Sequence, residues 1–313
     1  MDRFRNILIA ASPGLLDPQT LRSAVKLAEA NDARLTLIDV VAPLPKWRKT
    51  VNVEGRVIDV EAALLKDREE RLRVLVENTQ ARADTETIVM AGEPFIEVIR
   101  RVLTGQHDLV MVGEPAPDKP HVPQLSSGVM HLLRKCPVPV WVVRSPQADN
   151  NRVLALVDPD PGDPVRHGLN DLVLELATSL AFREGAELHI AHALSLAGEA
   201  TLRSSPHVQL PGSVVDVMVS GAETTRNRQL NALTLRHVSE GDRTIHMLSG
   251  ARGDVLPRLA DRLDVGVVVM GTVGRTGLRG LIMGNTAETI LRAVRCSVLA
   301  VRPEGFATPV KIR

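Results

Sequence analysis

Val265-Gly266-Val267-Val268-Val269-Met270-Gly271-Thr272-Val273-Gly274 decides how this chain folds. Its first six residues are a short, β-branched apolar run bounded by glycine, the pattern of a strand buried on both faces of a parallel sheet. Gly284-Asn285-Thr286 follows after nine further residues, and beyond it Ala287, Ile290, Leu291 and Val294 fall at helical spacing. The glycines therefore occupy a loop that leaves a strand end and delivers the chain to a helix N-terminus. There an α/β sheet offers unpaired backbone N–H groups and the positive end of a helix dipole to a phosphate. Glycine suits the place because a side chain would hold a ligand off the backbone.

Outward from that stretch the chain reads twice through one plan. His107 to Gly113 answers to Asp264 to Gly271, and Leu132 to Val140 answers to Leu291 to Leu299. In this alignment Cys136 and Cys296 fall at matching places, as small buried hydrophobes just before a last strand. Each half opens with a strand, Ile7 to Ala11 and Val153 to Val157, followed by a helix, about Thr20 to Glu29 and about His167 to Phe182. The second strands are Arg34 to Val41 and Glu187 to Ala193, and a third ends near Gly92 and near Gly250. Pro94 suits the first turn of the next helix, whose face is Phe95, Val98, Ile99, Val102 and Leu103. After the second strand each half carries an insertion. In the first, Pro43 to Lys49 leads into a charged helix around Val57 to Gln80; in the second, Ser204 to Ser213 precedes an amphipathic stretch. Strands alternating with helices imply parallel sheets covered on both faces and joined by right-handed crossovers. The polar stretch Ser145 to Asn151 separates two domains, 1–147 and 148–313.

The bulk numbers restrict function. At 313 residues the chain accommodates two ordinary domains. A formal net charge of +1 and the absence of Tyr argue against nucleic acid as a partner. The N-terminal residues lack the apolar core of a secretion signal, no apolar run reaches membrane-spanning length, and 2 cysteines make no disulfide framework. The expectation is a cytoplasmic protein with no membrane partner.

Gly271-x2-Gly274-x9-Gly284, Asp158 at the end of the second half's first strand, and the final strand from Cys296 to Val301 resemble the universal stress protein family. The resemblance spans essentially the whole chain as a tandem pair. It implies two flavodoxin-like (adenine nucleotide alpha hydrolase-like) α/β units, each a five-stranded parallel sheet with helices on both faces. It also implies an intramolecular pseudo-dimer joined through the last strands, Val138 to Val143 and Val298 to Val301, with a further homodimer as one assembly. Carried over from ATP-binding members, Asp158 meets the nucleoside and Ala193 offers its backbone to adenine. Gly271 and Gly274 line the ribose and phosphate path, while Gly284, Asn285 and Thr286 hold phosphate. The family's Ser or Thr after the third glycine is replaced here by Asn285, an amide in place of a hydroxyl. The residues also admit plainer roles. Asn285 is a good helix N-cap with Glu288 completing a near capping box, Gly271 and Gly274 suit tight turns, and Asp158 before Pro159 suits a turn.

The first half departs from this pattern. Glu114 to Leu125 contains four prolines, which remove backbone donors, and no glycine stands opposite Gly274 or Gly284, the latter aligning near Gln124. That half is expected to be a degenerate copy, with Ser126 and Ser127 capping its fourth helix. No Walker sequence, Gly-x-Ser-x-Gly elbow or metal-ligand spacing of histidines is present. The expected function is stress-response ligand binding or sensing through an ATP-type nucleotide pocket in the second domain, with Mg only alongside ATP. It is not catalysis, beyond slow ATP hydrolysis or autophosphorylation. Two alternatives stand beside it. One is another phosphate-bearing or nucleotide-sugar ligand; the other is a ligand-independent adaptor acting on a protein partner.

Overall fold

Buried apolar runs become the strands, and helices with one apolar stripe cover them. A computed structural model describes residues 3–11, 18–45, 49–53, 56–79, 83–114, 125–144, 151–159, 162–194, 202–203, 210–272 and 283–312. The first unit runs β1 (Asn6–Ala10), α1 (Pro18–Asn31), β2 (Arg34–Val41), β3 (Thr50–Val53), β4 (Arg56–Asp59), α2 (Val60–Thr79), β5 (Thr85–Ala91), α3 (Pro94–Gly105), β6 (Leu109–Glu114), α4 (Ser127–Lys135) and β7 (Val140–Arg144). The second runs β8 (Arg152–Leu156), α5 (Pro164–Glu184), β9 (Glu187–Leu194), α6 (Gly212–Thr234), β10 (Thr244–Ser249), α7 (Arg252–Arg262), β11 (Val267–Gly271), α8 (Asn285–Ala293) and β12 (Ser297–Val301). Before α2 the chain forms the antiparallel hairpin β3–β4, where the sequence led us to expect only a loop and a helix.

Ten strands make one sheet in the order β10-β9-β8-β11-β12-β7-β6-β1-β2-β5. Pairing is parallel inside each unit. At the centre β12 meets β7 antiparallel, with Val298 opposite Val142, Leu299 opposite Trp141 and Ala300 opposite Val140. The two units thus join through their last strands, as the resemblance implies. Alternate residues of each strand point into two cores on opposite faces of the sheet. One holds Ile99 of α3, Leu133 of α4, Leu259 of α7 and Leu291 of α8. The other holds Leu27 of α1, Leu174 of α5 and Leu230 of α6. Both cores run through both units, giving three layers.

The register corrects the cysteine alignment. Val140 pairs with Val110 as Val298 pairs with Val268, so Cys136 corresponds to Val294 and Cys296 to Val138. Burial pushes both thiols up to about 12, which leaves them protonated at neutral pH.

Cross-unit contacts repeat about the junction. The Arg144 guanidinium, at the end of β7, donates to the carbonyl of Val294, the last-turn cap of α8. Arg302, just past β12, donates to the carbonyl of Leu133 in α4. Each cation therefore sits at the negative end of the other unit's last helix. Arg134 and Glu288 pair across the same junction at 2.6 Å. The C-terminal stretch returns to the first unit, where Arg100 Nε donates to the Lys311 carbonyl, and Val310 packs against the core that both units share on that face.

Candidate functional site

Strands β8, β9 and β11 end side by side, and the residues expected to meet a nucleoside stand there. Asp158 follows β8 and is fixed by Asn170 of α5: its N–H donates to Asn170 Oδ1 at 3.0 Å, and its carbonyl accepts from Asn170 Nδ2 at 2.9 Å. Its carboxylate is already engaged. Arg252 Nη1 donates to Asp158 Oδ2 at 2.8 Å, and Arg166 Nη1 lies 3.3 Å from the same oxygen. Arg252 also reaches Ala193 at the end of β9, donating from Nε to its carbonyl at 3.0 Å. One side chain thus bridges both positions expected to contact the nucleoside. Arg226 of α6 donates to the Pro159 carbonyl, bringing a third guanidinium to this corner.

Beneath them His192 is buried, with Nδ1 2.9 Å from the Val157 carbonyl. A carbonyl can only accept, so Nδ1 carries the proton and Nε2 presents a lone pair. Nε2 is buried with no hydrogen-bond partner among the described residues, and Asp158 Oδ1 likewise has none, though it lies 3.7 Å from His192 Nδ1. Burial, the largest cause, holds the His192 pKa below the usual histidine range. His189, three residues earlier on the opposite face, meets His246 of β10 at 3.0 Å. No group of three or more His, Cys, Asp or Glu side chains among the described residues is placed to hold a metal.

At the end of β11, Gly271 packs under Leu169 of α5. A Cβ there would lie 2.5 Å from Leu169 Cδ2, so any larger residue obliges the Leu169 side chain to shift. Thr272 then ties two elements together: its N–H donates to the Val301 carbonyl at 3.1 Å, and its own carbonyl accepts from Gly284 N–H at 3.1 Å. Gly284 is the N-cap of α8, with extended dihedrals (φ −65, ψ 140) that any residue can adopt. Asn285 and Thr286 are the first two helical residues, both exposed. The expectation that Asn285 itself caps the helix is therefore displaced by one residue. Glu288 turns to Arg134 and Arg292 rather than back to the cap. Gly274 lies outside the described residues.

The first unit treats the equivalent place differently. Ser126, not Gln124, stands where Gly284 stands, since it is the N-cap of α4, and its Oγ accepts from Val129 N–H at 3.3 Å. Glu114, the last residue of β6, is buried and accepts from the Ser126 N–H at 3.2 Å and from its hydroxyl. A carboxylate of the protein thereby occupies the anion position at that helix start. The prolines between Glu114 and Leu125 lie outside the described residues. The negative charge that the sequence sets here at Glu114 does sit at this helix start, whereas sequence reading missed Arg252, Arg166 and Arg226 in the second unit. Arg252 is 94 residues from Asp158, and only the crossover topology brings them together.

Comparison with known proteins places the chain in a family. The model of the universal stress protein family matches residues 3–144 and again 164–302. Universal stress protein E of Salmonella typhi is 27% identical over 321 residues, covering 100% of this chain and 98% of the relative. Its counterpart in Escherichia coli K12 is 30% identical over 227 residues, covering 72% of this chain and 70% of that protein. Among solved structures, a universal stress protein from Archaeoglobus fulgidus superposes with a TM-score of 0.60 at 19% identity, covering 95% of this chain and 98% of the other. A functionally unknown protein from Pseudomonas aeruginosa PAO1 gives 0.70 at 22%, covering 97% and 94%. At these identities the solved structures speak for the fold. No helix among the described residues is long and apolar enough to cross a membrane.

Proposed function

The chain belongs to the universal stress protein family, and we propose that its second unit is a receptor for a phosphate-bearing ligand of nucleotide type, bound and sensed in a stress response rather than turned over. The observation that carries this reading is the contrast between two helix starts. In the first unit Glu114 and Ser126 satisfy the N-terminus of α4 from within the protein. In the second, Thr272 spends its hydroxyl on the Val301 carbonyl and Gly284 has no side chain to offer. Among the described residues, then, no side chain caps the first N–H groups of α8, and these groups and the helix dipole suit an anion. Asn285 and Thr286, exposed on the first turn, add an amide and a hydroxyl donor. An ATP-type nucleotide would carry its own magnesium, held through phosphate oxygens and water.

A second reading has its own support. Because Arg252 engages both Oδ2 of the Asp158 carboxylate and the Ala193 carbonyl, a nucleoside that uses either atom competes with it. A phosphate-bearing or nucleotide-sugar ligand whose other end is polar or anionic would instead meet three arginines at this corner. The enzyme reading gains no comparable support, so binding is proposed without catalysis.

Native mass spectrometry of freshly purified protein, with and without added ATP, tests the site alongside Gly284→Val. A nucleotide-sized adduct present in the wild type and lost in the variant is expected. A bare mass that neither ATP nor a uridine diphosphate sugar shifts would turn the reading to an adaptor that works through protein partners. Arg252→Met separates the two ligand readings. If adenine uses Asp158 and Ala193, ATP affinity should rise roughly fivefold, about the worth of one released hydrogen bond. A fall in affinity would make Arg252 a phosphate ligand.

A further inference from the structure

α2 and α6 hold equivalent places. Each lies between the second strand of its unit and an edge strand of the large sheet, β5 or β10, and each packs on the same core, α2 through Leu72 and α6 through Leu230. Their outward faces differ. That of α2 is a solvated surface: Asp67, Glu70, Arg71, Arg73 and Glu77 are exposed and joined in ion pairs one turn apart. On α6, Val214, Val217 and Met218 stand there instead, 41%, 70% and 44% exposed. At helical spacing the stripe continues through Gly221, Thr224 and Thr225 to Arg228, all exposed.

This face needs little from water. Thr224 and Thr225 turn their hydroxyls back onto the carbonyls of Ser220 and Gly221, at 2.8 and 2.9 Å. Gly221 sits in the interior of the helix, where glycine is unfavourable, and a Cβ added to it would meet no atom within 4 Å among the described residues. Packing within the chain therefore does not call for glycine here, whereas close approach by a second helix does. The stripe is also complementary to itself. In an antiparallel pair with a two-fold axis through Gly221, Val217 faces Thr225 of the second copy, Met218 faces Thr224, and Val214 faces the aliphatic stem of Arg228. Asp216 beside the stripe is turned to Arg203 at 2.8 Å, so no like charges are set opposite each other. We propose that the outward face of α6 is a self-association surface, on which a second copy of this chain docks by its own α6 with the two Gly221 residues meeting at the axis. A single helix pair about 35 Å long covers less than the roughly 1,600 Å² of a standard stable interface, so the association is weak and concentration-dependent.

Sedimentation equilibrium over about 1–200 μM protein, a span suited to micromolar association, should show the mass rising from one chain towards two. Val217→Lys should weaken that association about tenfold or more. Gly221→Leu should do the same by holding the helices apart, yet unfold at no lower temperature than the wild type, because leucine is the better helix former. Gly221→Cys sets two thiols at the axis, within disulfide reach. Under copper phenanthroline it should cross-link into a two-chain species, and Asn227→Cys, exposed on the same helix but off the stripe, should not. Cys136 and Cys296 are held protonated by burial and add no background. A mass that stays at one chain would overturn the proposal and leave the stripe to a helix of another protein. Association undiminished in Val217→Lys or in Gly221→Leu, or equal cross-linking in Asn227→Cys, would overturn it as well.

Discussion

His107 shows how one buried side chain sets a pH dependence. It follows Gln106, the left-handed C-cap of α3, and is 4% exposed, with neither ring nitrogen partnered among the described residues. A Cβ on Gly105 would come within 2.6 Å of His107 Nε2, so the ring fills its pocket tightly. Burial, with Arg101 second, pushes its pKa down to about 4. The unfolded chain binds this proton below about 6.5, while the folded one does not until about 4. Stability is therefore fully present above the upper value and is lost progressively as pH falls through that window. His131, His192 and His246 are shifted in the same direction, so the His107 contribution is one of several. Replacing it with leucine removes the titration and two unpartnered polar atoms together. His107→Leu should match or exceed wild-type stability at pH 7, and urea midpoints should decline less steeply between pH 6.5 and 4. An unchanged slope would mean that His107 does not titrate in this window.

At the scale of elements, α4 and α8 are one structure with two endings. Each begins just after an N-cap, Ser126 or Gly284, and ends nine residues later at Lys135 or Ala293. What differs is who supplies the acceptor at the first turn. Ser126→Ala should cost about 1 kcal/mol in urea unfolding. Gly284→Asp should do the reverse, because the dihedrals at Gly284 accept any residue and a carboxylate complements the dipole; roughly 0.5 kcal/mol of added stability is expected. The same carboxylate should expel a phosphate ligand, so a variant that becomes more stable yet still binds nucleotide would place the ligand elsewhere. Most elements were legible because burial leaves a direct mark on sequence. Strands β6, β7 and β12 are buried along their whole length and read as apolar runs whose polar residues, Glu114, Arg144 and Ser297, stand only at their ends. The hairpin β3–β4 left no such mark: β4 is exposed at all four residues, so no alternation betrays it. The start of α8 was misplaced by one residue because asparagine is a better cap than glycine in general, and local propensity could not register the Thr272 carbonyl that holds Gly284. Arg252 was invisible for a related reason. Nothing near it in sequence distinguishes it from a solvated arginine at a helix start.

The whole molecule turns on its central ladder. β7 and β12 are buried throughout, and each would be the apolar edge of a five-stranded sheet if the units parted. Exposed edges of that kind pair readily with other strands, so antiparallel closure protects both units at once. The ladder is short, three residue pairs, and the guanidiniums of Arg144 and Arg302 extend it by anchoring each unit to the other's last helix. On the other face, Arg3 and Lys26 of the first unit reach Glu175 and Glu184 of α5, but these pairs are solvent-exposed and contribute little. The covalent connection between the units should then be dispensable for their association. With a protease site inserted between Arg144 and Arg152, the cleaved protein should elute from size exclusion as one species of unchanged size and melt in a single transition. Arg144→Glu combined with Arg302→Glu removes both anchors and sets a carboxylate against each helix C-terminus, where like charge repels. That cleaved variant should separate into two smaller species or aggregate through the freed edges. If the wild-type halves also separate on cleavage, the linker rather than the ladder holds the units together. Coincident elution of the cleaved double variant would instead assign the joint to the apolar pairs Val298–Val142 and Leu299–Trp141 alone.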